Sequence, residues 1–169
     1  MFAVKTIPGL IILMLPLGIF ASPAQITSDV LEIRTLGPHV HMHFSHSAHI
    51  EGDKFSLKGD HIQVIIVGGS PQNPNPSAVK EIHAMGNAAL EWELYGGKAD
   101  QISIYPAKNF ILLEGNAEIW DEGSGTMFGQ TLILDLKNRR IKSEGSEFKR
   151  STMSINDISK FEPNNMLIK

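Results

Sequence analysis

The chain has no cysteine, so it holds no disulfide framework, no thiolate zinc site and no thiol nucleophile. It has no excess of positive charge either. Fifteen Lys and Arg stand against 18 Asp and Glu, a formal net charge of −3, and no basic field points to nucleic acid. Aromatic residues make up only 7% of the 169, which leaves a core to be built mainly from aliphatic side chains. Beyond residue 24 no stretch repeats apolar residues at three, four and seven for three turns, which argues against amphipathic helices. HExxH, an EF-hand loop and a Gly-rich phosphate loop opening a helix are all missing. Gly123-Ser124-Gly125 lacks the spacing of a nucleophile elbow and reads as a hairpin turn, while Pro76 blocks glycosylation at Asn75. With no nucleophile set beside a base, the chain is expected not to be an enzyme and to use no cofactor.

What is present begins with an export signal. Lys5 gives a short positive start, Ile7–Phe20 is uncharged and apolar, and Ser22-Pro23-Ala24 places small residues for cleavage after Ala24. Fourteen residues span about 21 Å as a helix, short of a bilayer core, and Pro8 and Pro16 interrupt them. Residues 1–24 are therefore read as a signal peptide and 25–169 as one domain. A retained N-terminal anchor is the rival reading. Without Lys5 the exported part carries 14 basic and 18 acidic residues, a net charge of −4.

The remainder repeats with a period of about 30. Met85-Gly86-Asn87-Ala88 recurs as Glu114-Gly115-Asn116-Ala117, and Ser143-Glu144-Gly145-Ser146-Glu147 echoes it. A second element interleaves: Gly59-Asp60-His61-Ile62, Ala99-Asp100-Gln101-Ile102 and Gly129-Gln130-Thr131-Leu132. Gly68–Pro76 interrupts the first spacing as a Pro/Gly/Asn loop. Within each repeat, apolar residues alternate with polar ones, as in Leu90, Trp92 and Leu94 against Glu91 and Glu93. Fifteen Gly and nine Pro supply the turns, which are assigned to Gly96-Gly97-Lys98, Pro106–Asn109, Asp121–Gly125 and Lys137–Arg139. The expected fold is all-β, with roughly 10 to 14 short antiparallel strands, as two folded-over sheets or one long curled sheet. An up-and-down order leaves edge strands at both ends, and the opening Gln25–Glu32 strand lacks the Lys or Pro that blocks pairing.

Two clusters stand out from this pattern. His39, His41 and His43 fall on one side of a strand about 7 Å apart in succession. They read as a polar strand face opposite apolar Met42 and Phe44; the other reading makes the His39–His49 run a metal site, which the absence of carboxylates within it disfavours. Lys137, Arg139, Arg140, Lys142, Lys149 and Arg150 gather positive charge near a turn, either as a solvated surface or as a patch for the phosphates of an anionic partner.

The run Ala107-Lys108-Asn109-Phe110-Ile111-Leu112-Leu113-Glu114-Gly115-Asn116-Ala117, the Gly129–Lys137 strand with its turn, Lys149-Arg150-Ser151-Thr152 and the opening Ile26-Thr27-Ser28-Asp29 resemble the OstA-like repeats of the LptA family of lipopolysaccharide export proteins. The likeness runs from about residue 26 to 165, and departs where the first Gly-Asn-Val should fall, at Phe44–Ala48. It implies a curled, open antiparallel β-jellyroll in the periplasm of Gram-negative cells, with lipid A acyl chains of lipopolysaccharide inside. It also implies edge-to-edge joining with itself, with an LptC-like inner-membrane protein and with an LptD-like outer-membrane barrel. On that reading Ile62, Val64, Leu90, Trp92, Leu94, Ile102, Ile104, Leu112, Ile119, Leu132 and Leu134 line the groove. Ile26, Asp29 and Leu31 at one end, and Thr152, Ser154 and Ile158 at the other, mark the joining edges. The alternatives are a membrane-anchored LptC-like partner and an oligomerising structural β-protein that binds no lipid.

Overall fold

The structure, a computed structural model, describes residues 11–13, 24–67, 79–121, 125–144 and 152–154. The Gly68–Pro76 insertion, the echo at 145–148 and Ile158 lie outside the described residues. Among these, eleven strands pair antiparallel: β1 (Ile11–Leu13), β2 (Ala24–Thr27), β3 (Val30–Leu36), β4 (His39–Gly52), β5 (Phe55–Val67), β6 (Val79–Trp92), β7 (Tyr95–Tyr105), β8 (Phe110–Asp121), β9 (Gly125–Asp135), β10 (Arg140–Glu144) and β11 (Thr152–Ser154). They form one sheet ordered β1-β2-β4-β5-β6-β7-β8-β9-β10, whose two ends do not pair with each other. β2 and β3 lie end to end along β4, and β10 and β11 end to end along β9. The middle is an up-and-down meander from β4 to β9, as the regular repeat requires.

The strands are longer than the sequence reading allowed. β4 and β6 each run 14 residues, because the repeated Gly-Asn pairs do not end a strand. They form bulges inside one. Gly86-Asn87 in β6 and Gly115-Asn116 in β8 put two residues against the single Asp100 of β7, which stands between them. Both members of each pair are left-handed: φ is 73° and 47° at Gly86 and Asn87, and 77° and 47° at Gly115 and Asn116. The Asn side chains close the bulges by donating Nδ2–H to Asp60 Oδ2 (3.2 Å, from Asn87) and Asp100 Oδ2 (3.1 Å, from Asn116). The interleaved sequence element is thus the partner of the first. β4 carries the same device without the same residues: His46 and Ser47, at φ 63° and 55°, oppose Asp60. That places the irregular first repeat in register. Aligned bulges in alternate strands each add local twist, and together they coil the sheet.

The expected turn at Gly96-Gly97-Lys98 is corrected by the structure, which has these residues inside β7 and turns at Glu93-Leu94. The two glycines serve close approach instead. Trp120 of β8 lies over Gly96 where a Cβ would stand, and Leu113 and the Glu118 carbonyl crowd Gly97. Lys98 Nζ sits 5.6 Å from the Trp120 ring centroid, adding a cation–π contact on the outer face.

Read across the strands, one inward row runs Ile33, Met42, Val64, Ile82, Ile104, Ile111, Leu134, Ile141. The next runs Leu31, Phe44, Ile62, Ala84, Ile102, Leu113, Leu132. Beyond the bulges the inward set continues with Ile26, Ile50, Leu57, Leu90 and Ile119. These form one buried apolar cluster, aromatic only at Phe44, Phe55 and Trp92, with Ile33 and Ile141 packed half-buried against it.

Candidate functional site

The inner surface of the coiled sheet is the largest apolar feature of the described chain. Of the eleven residues proposed for a groove, nine face inward: Ile62, Val64, Leu90, Trp92, Ile102, Ile104, Ile119, Leu132 and Leu134. Two do not. Leu94 is 56% exposed, because the hairpin turns at Glu93-Leu94 and carries it off the strand. Leu112 lies half-buried on the outer face, cross-strand from Ser103 and Ile133, while Ile111 and Leu113 point inward. Four apolar residues in succession, Phe110 to Leu113, hide the period of two, so alternation alone cannot choose between the parities. Ile82, Ile111 and Leu113 are inward residues that the sequence reading left out; only the cross-strand register finds them.

The interior is packed rather than gaping. Its buried members are at most 8% exposed, with Ile33 and Ile141 half-buried at the ends of a row, so anything entering this space must part side chains that already touch. At the β4–β5 and β6–β7 end the cluster gives way to a cavity of about 660 Å³, lined by Phe55, Trp92 and Leu94 together with Lys54, Arg139 and the carboxylates Glu51, Asp53, Glu91 and Glu93. Trp92 stacks on Tyr95 there, centroids 5.8 Å apart. Arg139 arrives from the β9–β10 turn, and its Nη2 reaches Glu93 Oε2 at 3.4 Å. Burial, and next the Asp121 carboxylate, push the Tyr95 phenol above its ordinary range, so it stays protonated at this rim.

The histidines share the outer face. Gln63 Nε2 donates to His41 Nδ1 (3.1 Å) and His43 Nε2 (3.3 Å), and His83 links Ser103 Oγ (2.9 Å) with Glu81 Oε2 (3.2 Å). Burial, then the charges of Arg34 and His41, hold the His43 imidazole below its usual range. It is neutral at pH 7, and any stability tied to that neutrality fades as pH falls through about 6.5, where the unfolded chain takes up the proton first. Among the described residues no three His, Asp or Glu side chains are placed to hold a metal ion. Ser103 points to this face yet is only 1% exposed, covered by His83 and Gln101.

At the edges, Ile26 and Leu31 turn their side chains into the core, and Asp29 is exposed where β2 breaks from β3. Ser28 Oγ donates to the Val30 carbonyl across this break. Thr152 and Ser154 lie in β11, registered on Phe128 and Thr126 of β9. One end of the described sheet is a two-piece edge, β10 with β11; at the other, β3 is an edge and β1 covers β2. No helix among the described residues is long and apolar enough to cross a membrane.

An unclosed antiparallel sheet coiled around an apolar interior defines an open β-jellyroll. The chain belongs to the LptA/(LptD N-terminal domain) family of lipopolysaccharide transport proteins, whose model matches residues 25–140. Its fold is similar to that of LptH, the LptA-homologous periplasmic component of the lipopolysaccharide transport device of Pseudomonas aeruginosa, with a TM-score of 0.65 and 13% identity. That likeness covers 82% of this chain and 99% of the other. Among curated proteins, none matches.

Proposed function

We propose that this chain is a periplasmic carrier of lipopolysaccharide toward the outer membrane, holding the lipid A acyl chains against the inward rows and acting without enzymatic chemistry. The observation that carries the reading is the apolar inner face of an unclosed sheet, in a chain of the lipopolysaccharide transport family. Each buried CH₂ is worth about 0.8 kcal/mol, so one chain of about twelve carbons offers roughly 10 kcal/mol, less the cost of parting the packed side chains. The nine inward residues, with Ile82, Ile111 and Leu113, are the proposed lipid contacts. The sheet ends support end-to-end pairing, with β3 and the uncovered β2 of the cleaved chain offered to an LptC-like inner-membrane protein and the C-terminal edge to an LptD-like barrel or a second copy. Cleavage after Ala24 is part of this reading. β1 pairs with β2 through Ile11–Leu13, so removing residues 1–24 takes Ala24 from β2 and frees the side of Gln25 and Ile26 that β1 covers.

Depleting the protein in its host and following newly made lipopolysaccharide by membrane fractionation tests the reading. The expected outcome is accumulation at the inner membrane. Unchanged arrival at the outer membrane would leave a structural role that binds no lipid.

A further inference from the structure

The basic turn singled out in the sequence is brought by the fold to the end of the apolar interior. Lys137, Arg139, Arg140 and Lys142 are all exposed around the β9–β10 hairpin. Asp135, at the start of this turn, accepts from Asn138, which donates its backbone N–H (2.9 Å) and its side-chain amide (2.7 Å). Arg139 crosses to the cavity rim at Glu93, a residue 46 positions away, whereas the other ion pairs between described residues join neighbours no more than two apart. A cation cluster therefore adjoins a rim lined by Phe55, Trp92 and Leu94.

Two features set the Arg139–Glu93 contact apart. At 3.4 Å it is longer than a charge-assisted hydrogen bond between a guanidinium and a carboxylate, and both side chains are open to water. Such a pair adds little to stability and exchanges partners readily. Both residues also hold left-handed backbone, φ 50° at Arg139 and 51° at Glu93, a conformation that suits glycine or asparagine. The chain places Gly37 and Asn109 at comparable turns, with φ 60° and 56°. Charged residues kept at two strained positions that meet each other point to work for the charges.

We infer that the rim is a headgroup site: Arg139 binds a phosphate of an acylated, phosphorylated amphiphile whose chains lie in the interior, and Glu93 is the internal anion that the phosphate displaces. This rests on the carrier reading above. A phosphate presents up to two charges and several oxygens to the planar guanidinium fork, so it outcompetes one loosely held carboxylate. Lys54, from the β4–β5 turn, stands on the same rim to share the charge. The carboxylates Glu51, Asp53, Glu91 and Glu93 oppose the anion, which makes the exchange reversible and salt-sensitive.

The test compares binding of bisphosphorylated lipid A with the same lipid A after phosphatase treatment, using the full exported chain and its variants at low salt. Wild type is expected to prefer the phosphorylated form about tenfold, Arg139→Gln to lose that preference, and Glu93→Gln to bind the phosphorylated form about threefold more tightly. Inorganic phosphate at the same concentration is expected not to displace the lipid, since it brings no acyl chains. An Arg139→Gln protein that keeps the preference, or a Glu93→Gln protein that binds more weakly, overturns the site. Equal binding of both lipids by wild type overturns it too, while leaving the carrier reading intact. Failure of wild type to bind either lipid removes both.

Discussion

Urea unfolding of Gly115→Ala is expected to show a loss of about 2–4 kcal/mol, among the largest for any single methyl group added to this chain. Gly115 sits at φ 77°, where a Cβ costs about 1–2 kcal/mol by itself. Here the added Cβ would also run into the Asp100 side chain, which is held in place by the Asn116 amide. The bulge then has to open, and the β7–β8 register is disturbed on the side where Ile119 and Leu113 belong to opposite segments of the interior. Gly37→Ala provides the comparison, with φ 60° and nothing within 4 Å of the new atom. It is expected to show the backbone cost alone, about 1 kcal/mol. Equal losses at the two positions would mean that the bulge does not depend on the Asp100 contact.

Ile104→Ala is expected to cost about 2–5 kcal/mol in the same assay, against less than about 1 kcal/mol for Leu112→Ala. Ile104 is fully buried between Ile82 and Ile111 in the longest inward row, and truncation leaves a void that the neighbouring strands are too constrained to fill. Leu112 stands on the other face of the adjacent strand, half-exposed. The contrast is informative because composition and hydropathy rank the two residues alike. Reversed costs would mean that β8 is turned over relative to β7.

Much of this architecture is legible in the residues. Leu90 and Trp92 alternate with Glu91 and Glu93, and so do Ile102 and Ile104 with Gln101 and Ser103, because each strand faces the core on one side only. The repeat of Gly-Asn was visible; that it bulges a strand rather than ending it was not, because a left-handed pair looks the same in sequence whether it closes a hairpin or kinks a ladder. The double glycine at 96–97 misled for a related reason. Glycine there makes room for Trp120 and Leu113 from β8, partners more than fifteen residues away that local turn chemistry does not reveal. A turn at 96–98 would keep Leu94 on the strand, whereas the turn at Glu93-Leu94 takes it off. Leu112 was lost inside an unbroken apolar run, where only pairing with β7 and β9 decides the parity. His46-Ser47 shows the converse: the backbone keeps the bulge where the sequence has dropped its signature, since Asp60 still opposes the extra residue. The edge residues Ile26 and Leu31 are inward-facing, so edge pairing there would use the main chain of β2 and β3, which no side-chain pattern records.

The central claim, that lipid occupies the inner face, is tested most directly by photocrosslinking in living cells with the probe placed in turn at Ile104, Leu113 and Leu112. The account predicts lipopolysaccharide adducts at Ile104 and Leu113 and none at Leu112, one residue from Leu113 and on the opposite face. Adducts at Leu112 but not at Leu113, or none at any of the three in a folded and exported protein, would contradict it.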